Sequence, residues 1–425
     1  MRPGRVLVVG VIALAFAAPA RAAGDARPPA LEWRLRESGG EWWIKVRLSE
    51  RASVAAALSR GGAVVRRVPG RPLQAGRARL TLGRLPGGRY AVNVVARDPS
   101  GLGTSVTSAV RLPQIVTIAV SGDLLIHTPV AARALANGGR RAYRFGPMLA
   151  RISPLIRRAD LALCHLEHPL GRGPPTGYPR FRAPVALAGA IRSTGFDVCS
   201  TASNHTLDYG QPGVVATLAA LDGAGVRHTG SWTRPPPGRP ALVAARGVTI
   251  GIVSATEHTN GIAPPYPWSV ALADPGAILA AARGARRAGA RAVIVNMHWG
   301  AEYRHAPTPS QWRLARVLTG SPAVTAVVGQ HAHVVQPIRF VNGKPVVFGE
   351  GNLVSNQSGA SQDGMIALLD LAVTPRAARA RRVRYLPTYV HRPDYVVVPA
   401  TGSSRRRTIG VAGRDARVQP ISGFG

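Results

Sequence analysis

Ten of the eleven histidines lie between His127 and His333, in a chain holding only 20 aspartates and glutamates. The scarce acids keep them company. Asp123 precedes His127, Glu167 lies between His165 and His168, Asp208 follows Asn204 and His205, and Glu302 falls between His298 and His305. The segment GQHAH adds His331 and His333 at i and i+2. In extended backbone two such rings leave one side of the chain about 6.5 Å apart, close enough to converge on one metal ion or on neighbouring ions. Histidine with aspartate, glutamate and asparagine is a mixed nitrogen and oxygen donor set, suited to Zn, Mn or Fe; no thiolate set accompanies it. Two such ions clamp a phosphoryl or carbonyl oxygen and acidify bound water. A nearby histidine then serves as general acid for the leaving group. A serine hydrolase is not expected, since no G-x-S-x-G elbow follows any strand-like run.

These groups need a frame, and each stands just past an apolar run. The runs are VTIAV, LALCHL, FDVCST, VTIGIVSA, AVIVNMHW, AVTAVVG and PVVFG, between Val116 and Gly349. Amphipathic Ala/Arg-rich stretches such as PSQWRLARVLTG separate them. Strands apolar throughout are buried on both faces, and their alternation with helices predicts an α/β domain. Sites in such domains gather beyond the carboxyl ends of the strands. Residues 30–113 differ: EWWIKVRLSE, RARLTLGRL and GRYAVNVVARD alternate with period two, between turns such as RLPGG. That pattern predicts a small all-β sandwich of immunoglobulin-like type. Residues 398–425 are rich in Arg, Ser and Gly and are expected to form a flexible tail.

The first 23 residues read as a signal peptide: Arg2 and Arg5, an apolar core from Val6 to Ala18, then Ala20-Arg21-Ala22. The mature chain is expected outside the cytoplasm, secreted or held at the cell surface by the uncleaved segment. The net charge of +34 is almost all arginine, since Lys45 and Lys344 are the only lysines. With Ala, Gly and Pro also abundant, this resembles coding bias, and the arginines look scattered rather than striped. Nucleic acid is not an expected partner; an anionic wall polymer is. Cys164 and Cys199 are read as two buried small hydrophobes rather than a disulfide.

Six ordered motifs, SGDLLIH, ADLALCHLEHPL, GFDVCSTASNHTLDYG, NMHWGAEY, VVGQHAHVVQ and FGEGNLV, carry a resemblance over residues 115 to 397. Together they resemble the CapA family of capsule and poly-γ-glutamate synthesis proteins, which itself looks like a branch of the calcineurin-like metallophosphatases. The resemblance implies a four-layer αββα sandwich with a site at the sheet edges. By position, Asp123, Glu167, Asn204, His298, His331 and His333 match metal ligands, for one or two divalent ions. His205 matches the histidine that protonates a leaving group, with Asp208 as its catalytic companion. His127, Glu302 and Asn352 are expected around the ligands or against substrate. Where the family has asparagine before Leu-Glu, this chain has His165, expected beside the ligands rather than among them. The implied function is an extracytoplasmic metal-dependent hydrolase in the synthesis, release or attachment of an anionic polymer, working beside a membrane-bound synthesis complex. The alternative is a non-catalytic export or scaffold component on the same fold.

Overall fold

The change of sequence pattern near residue 115 is also where the chain divides. In the computed structural model the two compact units are Met1–Ile115 and Val116–Gly425. The structure describes residues 27–38, 41–374 and 378–421; the signal-peptide segment lies outside them.

The first unit is all β: β1 (Leu31–Ser38), β2 (Glu41–Leu48), β3 (Ala52–Arg60), β4 (Ala63–Leu73), β5 (Gly76–Arg84), β6 (Gly88–Arg97) and β7 (Gly103–Leu112). They form a three-stranded sheet, β1-β2-β5, and a four-stranded sheet, β4-β3-β6-β7. Period-two alternation sends Ile44, Val46, Val54, Leu58, Leu80, Val92 and Val94 into one core.

The second unit opens with β8 (Gln114–Leu124), then α1 (Thr128–Asn137), α2 (Gly146–Leu149), α3 (Ser153–Arg158), β9 (Leu161–Leu166), β10 (Leu170–Gly171) and β11 (Ala183–Pro184). Next come α4 (Ala186–Thr194), β12 (Val198–Ser200), α5 (Gly210–Gly223), β13 (Arg227–Thr229), β14 (Ala241–Ala245), β15 (Val248–Thr256), α6 (Pro275–Arg287), β16 (Ala292–His298), α7 (Pro309–Gly320) and β17 (Ala326–Gln330). The chain closes with β18 (Ile338–Val341), β19 (Lys344–Val347), β20 (Asn352–Val354), β21 (Asp363–Val373), β22 (Ala378–His391), β23 (Val396–Pro399), α8 (Gly402–Ala412) and β24 (Val418–Pro420).

Two mixed sheets result. One runs β13-β12-β9-β8-β21-β22-β23, with β20 beside β8 and β24 beside β22; the other runs β14-β15-β16-β17-β19-β18. The apolar runs explain the stacking, because each central strand has two apolar faces to bury. Val116, Ile118 and Val120 of β8 meet Ile250, Ile252, Ile294 and Val328 of the other sheet in a core between the sheets. The opposite face of the first sheet packs on α1 to α4 through Ala119, Leu166, Val130 and Ile191. That of the second packs on α6 and α7 through Val253, Val295, Ala282 and Leu318. The layers therefore run helices, sheet, sheet, helices.

Two expectations are corrected. Cys164 and Cys199 are direct neighbours in the parallel β9–β12 register, with Cα atoms 4.5 Å apart, and they form a disulfide. Both are buried, but their partnership depends on strand pairing that composition does not encode. The tail is not flexible through residue 421. Helix α8 buries Ser404, Thr408 and Ala412, a stripe at i, i+4 and i+8, and Arg407 makes a two-pronged ion pair with Asp363. Strand β24 then adds to β22. The stripe is small and polar, so no apolar period announces it.

Asp370 ties the first sheet together from inside. It accepts hydrogen bonds from Thr117 Oγ1, Arg382 Nε and both Arg384 Nε and Nη2 at 2.8–2.9 Å. Burial pushes its carboxyl up, but the bonds and charges of Arg384 and Arg382 outweigh burial and hold it below the usual value. A lowered folded value adds stability above the unfolded value of about 3.9, and that stability is lost as pH falls through the folded value. Asp370→Asn should cost about 1–3 kcal/mol at pH 7, because it removes the charge that two half-buried guanidinium groups bond. Its denaturant midpoint should also vary less between pH 5 and the acid limb, which urea titrations at stepped pH would measure.

Candidate metal centre

Asp123 stands at the end of β8, where the β8–β9 register breaks between Val120 and Asp123. That bulge turns the strand end and aims the carboxylate. Its neighbours are fixed by pairing: His165 of β9 on one side and Asn352 of β20 on the other. His298 ends β16 directly beside Gln330, the last residue of β17. Strand ends of both sheets thus converge on one buried cluster.

Within it, Asp123 Oδ2 lies 3.2 Å from His333 Nδ1 and Asp123 Oδ1 lies 3.7 Å from His165 Nε2. Glu167 Oε1 lies 3.6 Å from His333 Nε2 and 4.0 Å from His298 Nε2. Asn204 Oδ1 lies 2.8 Å from His298 Nε2. Asn352 Oδ1 sits 3.1 Å from His333 Nδ1, while its amide nitrogen donates to Gln357 Oε1 and to the Ser361 carbonyl, which fixes the ring's orientation.

Two donor triads share one residue: Asp123, His165 and His298 form the first, and Asp123, Glu167 and His333 the second. All five side chains are buried. Their polar atoms are also short of partners. Asp123 Oδ1, both Glu167 oxygens, both His165 nitrogens, His298 Nδ1 and His331 Nδ1 have no hydrogen bond. Buried polar atoms are rarely left this way, and a divalent cation would satisfy such a set. The residues therefore fit one or two metal ions.

The electrostatics agree. Burial pushes His165 down to about 4 and His331 to about 3, and with the surrounding histidines holds His298 well below its ordinary value. Neutral imidazoles present lone pairs. Burial also lifts Glu167 well above the carboxylate range. His333 is the exception: burial disfavours its charge, but Glu167 and Asp123 outweigh burial and raise it to about 9. Glu167 and Asp123 favour positive charge at this position, as a bound cation would supply.

The expected residues do not all fall together. His331 keeps its ring 4.6 Å from His298, outside both triads. The extended H-x-H geometry is corrected. His331 and His333 follow the end of β17 with φ of 91° and 55°, and the left-handed backbone sends the rings to different neighbours. Such non-glycine conformations cost about 1–3 kcal/mol each and concentrate at functional sites. Glu302 is a half-exposed rim residue, Oε1 4.0 Å from His333 Nε2. His127 packs edge-on against Phe181 and is a member of neither triad.

His205 stands on the cluster's flank, in the turn before α5. Asp208 Oδ2 lies 2.8 Å from its Nδ1 and also accepts the Phe181 N–H, so Nε2 is the nitrogen left for other work. The His205 ring abuts Phe181. Asn260, unnoticed in the sequence, reaches both Asn204 and His205 from the loop after β15. His165, placed beside the ligands by sequence reasoning, joins a triad instead. The available signal was the i, i+2 spacing of His165 and Glu167 at a strand end. Glu350 was also missed; burial raises it to about 8, and Gln330 donates to it behind Asp123.

Comparisons with known proteins address the same segment. The family model of the bacterial capsule synthesis protein PGA_cap matches residues 117–357. The chain is 25% identical over 255 residues to the capsule biosynthesis protein CapA of Bacillus anthracis, covering 57% of this chain and 60% of that one. It is 30% identical over 222 residues to a probable polyglutamine synthesis accessory protein of Mycobacterium tuberculosis, covering 46% and 56%. It thus spans little more than half the length of these curated relatives. A crystal structure of the calcineurin-like phosphoesterase YfkN from Bacillus subtilis is similar at a TM-score of 0.41 and 15% identity, over 70% of this chain and 96% of that one. The family match covers more than half of the chain and contains both triads, and the chain belongs to the PGA_cap family of bacterial capsule synthesis proteins.

Proposed function

We propose that this chain is an extracytoplasmic, metal-dependent hydrolase of phosphoesterase type, acting in the synthesis, release or attachment of an anionic capsule or polyglutamate-like polymer. The observation that carries it is the pair of buried triads sharing Asp123, with their unpartnered donor atoms. Asp123, His165, His298, Glu167 and His333 would hold one or two ions, with Asn204 and His331 alongside. Nitrogen and oxygen donors without thiolate favour Mn, Zn or Fe. A divalent ion there supplies Lewis acidity toward a phosphoryl or carbonyl oxygen.

The chain's own groups do the rest. Asp208 holds His205 by Nδ1, so Nε2 is positioned to give its proton to the departing oxygen. Phe181 walls one side of that ring. The two packed sheets of three and four strands support an immunoglobulin-like reading of the N-terminal unit. The Cys164–Cys199 disulfide supports an oxidising compartment. A membrane-bound polymer synthesis complex is the proposed partner; among the described residues no helix is long and apolar enough to cross a membrane.

His205→Ala is the test. Hydrolysis by the metal-loaded protein of an alkyl phosphodiester, whose departing alkoxide needs that proton, should fall about 10²- to 10⁴-fold, with metal content unchanged. Undiminished hydrolysis refutes the assigned role of His205. Normal polymer production by cells carrying the variant points instead to a non-catalytic export or scaffold component.

A further inference from the structure

The arginines that look scattered in the sequence are gathered by strand pairing. In the three-stranded sheet, Arg34 of β1 stands opposite Lys45 of β2, and Lys45 opposite Arg79 of β5. One cross-strand row is therefore three cations wide. In the next row Glu32 faces Arg47, and Arg47 faces Arg77. Arg36 lies two residues beyond Arg34 on the same face, opposite Trp43. All six cations are exposed, and the acids sharing the face are Glu32 and Glu41. Neighbouring charges stand about 7 Å apart along a strand and about 5 Å apart across strands. A groove of about 220 Å³ opens among Glu32, Arg34, Arg36, Lys45, Arg47 and Arg77.

Like charges directly opposite on a sheet face destabilise it. Arginine-rich composition alone does not produce the arrangement, because the outer face of the companion sheet differs. Its centre carries Ser53, Ala55, Ala57, Asn93, Ser105 and Thr107. The cations there, Arg67, Arg89, Arg97 and Arg111, stand on the edge strand or at strand ends.

We infer that the β1-β2-β5 face of the N-terminal unit is a docking surface for a linear polycarboxylate. Arginine forks bind carboxylates with two parallel bonds, and the rows offer them at a spacing a flexible chain can follow. Other polyanions fit less well. Single-stranded nucleic acid binds through free aromatic platforms, whereas Trp43 is covered by the Arg79 guanidinium at 4.1 Å. Duplex DNA is read by a helix or ribbon entering a groove, and this face is a sheet surface with neither. A lipid surface is gripped by apolar anchors beside the charges, and none of the outward side chains named on the β1-β2-β5 face is aliphatic. The choice of a polycarboxylate rests on the polymer role proposed above; the surface itself does not.

The test titrates the full chain into fluorescein-labelled poly-L-glutamate and follows anisotropy at two salt concentrations. Arg34→Ala/Lys45→Ala/Arg77→Ala/Arg79→Ala should weaken binding at least about tenfold at low salt and flatten the salt dependence. Arg67→Ala/Arg89→Ala/Arg97→Ala/Arg111→Ala removes the same number of charges from the companion sheet and should weaken it less than about threefold. Equal losses in the two variants would mean attraction to net charge alone and would overturn the inference. Tighter binding of duplex DNA or phosphatidylserine vesicles than of polyglutamate to this face would overturn the choice of occupant. Lys45→Glu, which places an acid between Arg34 and Arg79, should weaken binding without lowering the thermal midpoint, so the test survives misfolding of the quadruple variant. Turnover of bis(p-nitrophenyl) phosphate is measured on the same samples and should be unchanged by either face variant. A chain that binds polyglutamate through this face but hydrolyses nothing keeps this inference and sinks the catalytic reading.

Discussion

Asp123→Asn is expected to empty both triads at once. Asp123 is the one side chain common to the two donor sets, and both its oxygens face other members: Oδ2 toward His333 and Oδ1 toward His165. Asparagine keeps the volume and one oxygen but loses the charge that would balance a dication. Metal affinity should fall more than about a hundredfold, since the partners behind a ligand alone are worth about 10- to 100-fold. The readout need not be activity. A cation that binds only the folded chain raises its stability by about 2.7 kcal/mol at a concentration of a hundred times Kd. Added Mn²⁺ or Zn²⁺ should therefore raise the melting midpoint of the parent chain and leave that of Asp123→Asn unmoved. Equal shifts in both proteins would show that the buried carboxylate is not where the cation sits.

Much of this site is legible in the sequence, because strand ends are. An apolar run that stops at a polar residue marks a carboxyl end, and Asp123, Glu167 and His298 are each found that way. What escapes is whatever strand register decides. His165 pairs with Asp123 across β8–β9, so its role follows from a neighbour 42 residues away, not from its own surroundings. The same holds for Cys164 beside Cys199 and for the row Arg34, Lys45 and Arg79. Backbone conformation escapes too. His331 and His333 are two residues apart, and only their positive φ values separate the neighbours their rings meet. Helix α8 is missed for a third reason: it buries serine, threonine and alanine, and a search for apolar stripes passes over it.

Gly122→Ala should damage the same site with every ligand still present. Gly122 lies in the irregular stretch of β8 between Val120 and Asp123, and a methyl group there would overlap the carbonyl of Gly351. The obstacle is backbone, so no rotamer change relieves it. The Asp123 N–H donates to that same carbonyl at 3.0 Å, and Asn352 pairs with Asp123 one residue further on. Forcing β8 and this segment apart shifts Asp123 out of its register with His165 and carries Asn352 off His333, so both triads are disturbed together. Overpacking of this kind costs about 1–3 kcal/mol. The thermal midpoint should therefore drop, and the metal-induced rise should shrink with it. Gly189→Ala provides the contrast. It lies in α4, where an added methyl meets nothing within 4 Å. An alanine there should be neutral or stabilise by about 0.5–1 kcal/mol, with the metal response intact. Matching behaviour of the two alanine variants in metal titrations would show that the close approach of β8 to Gly351 does not position the site.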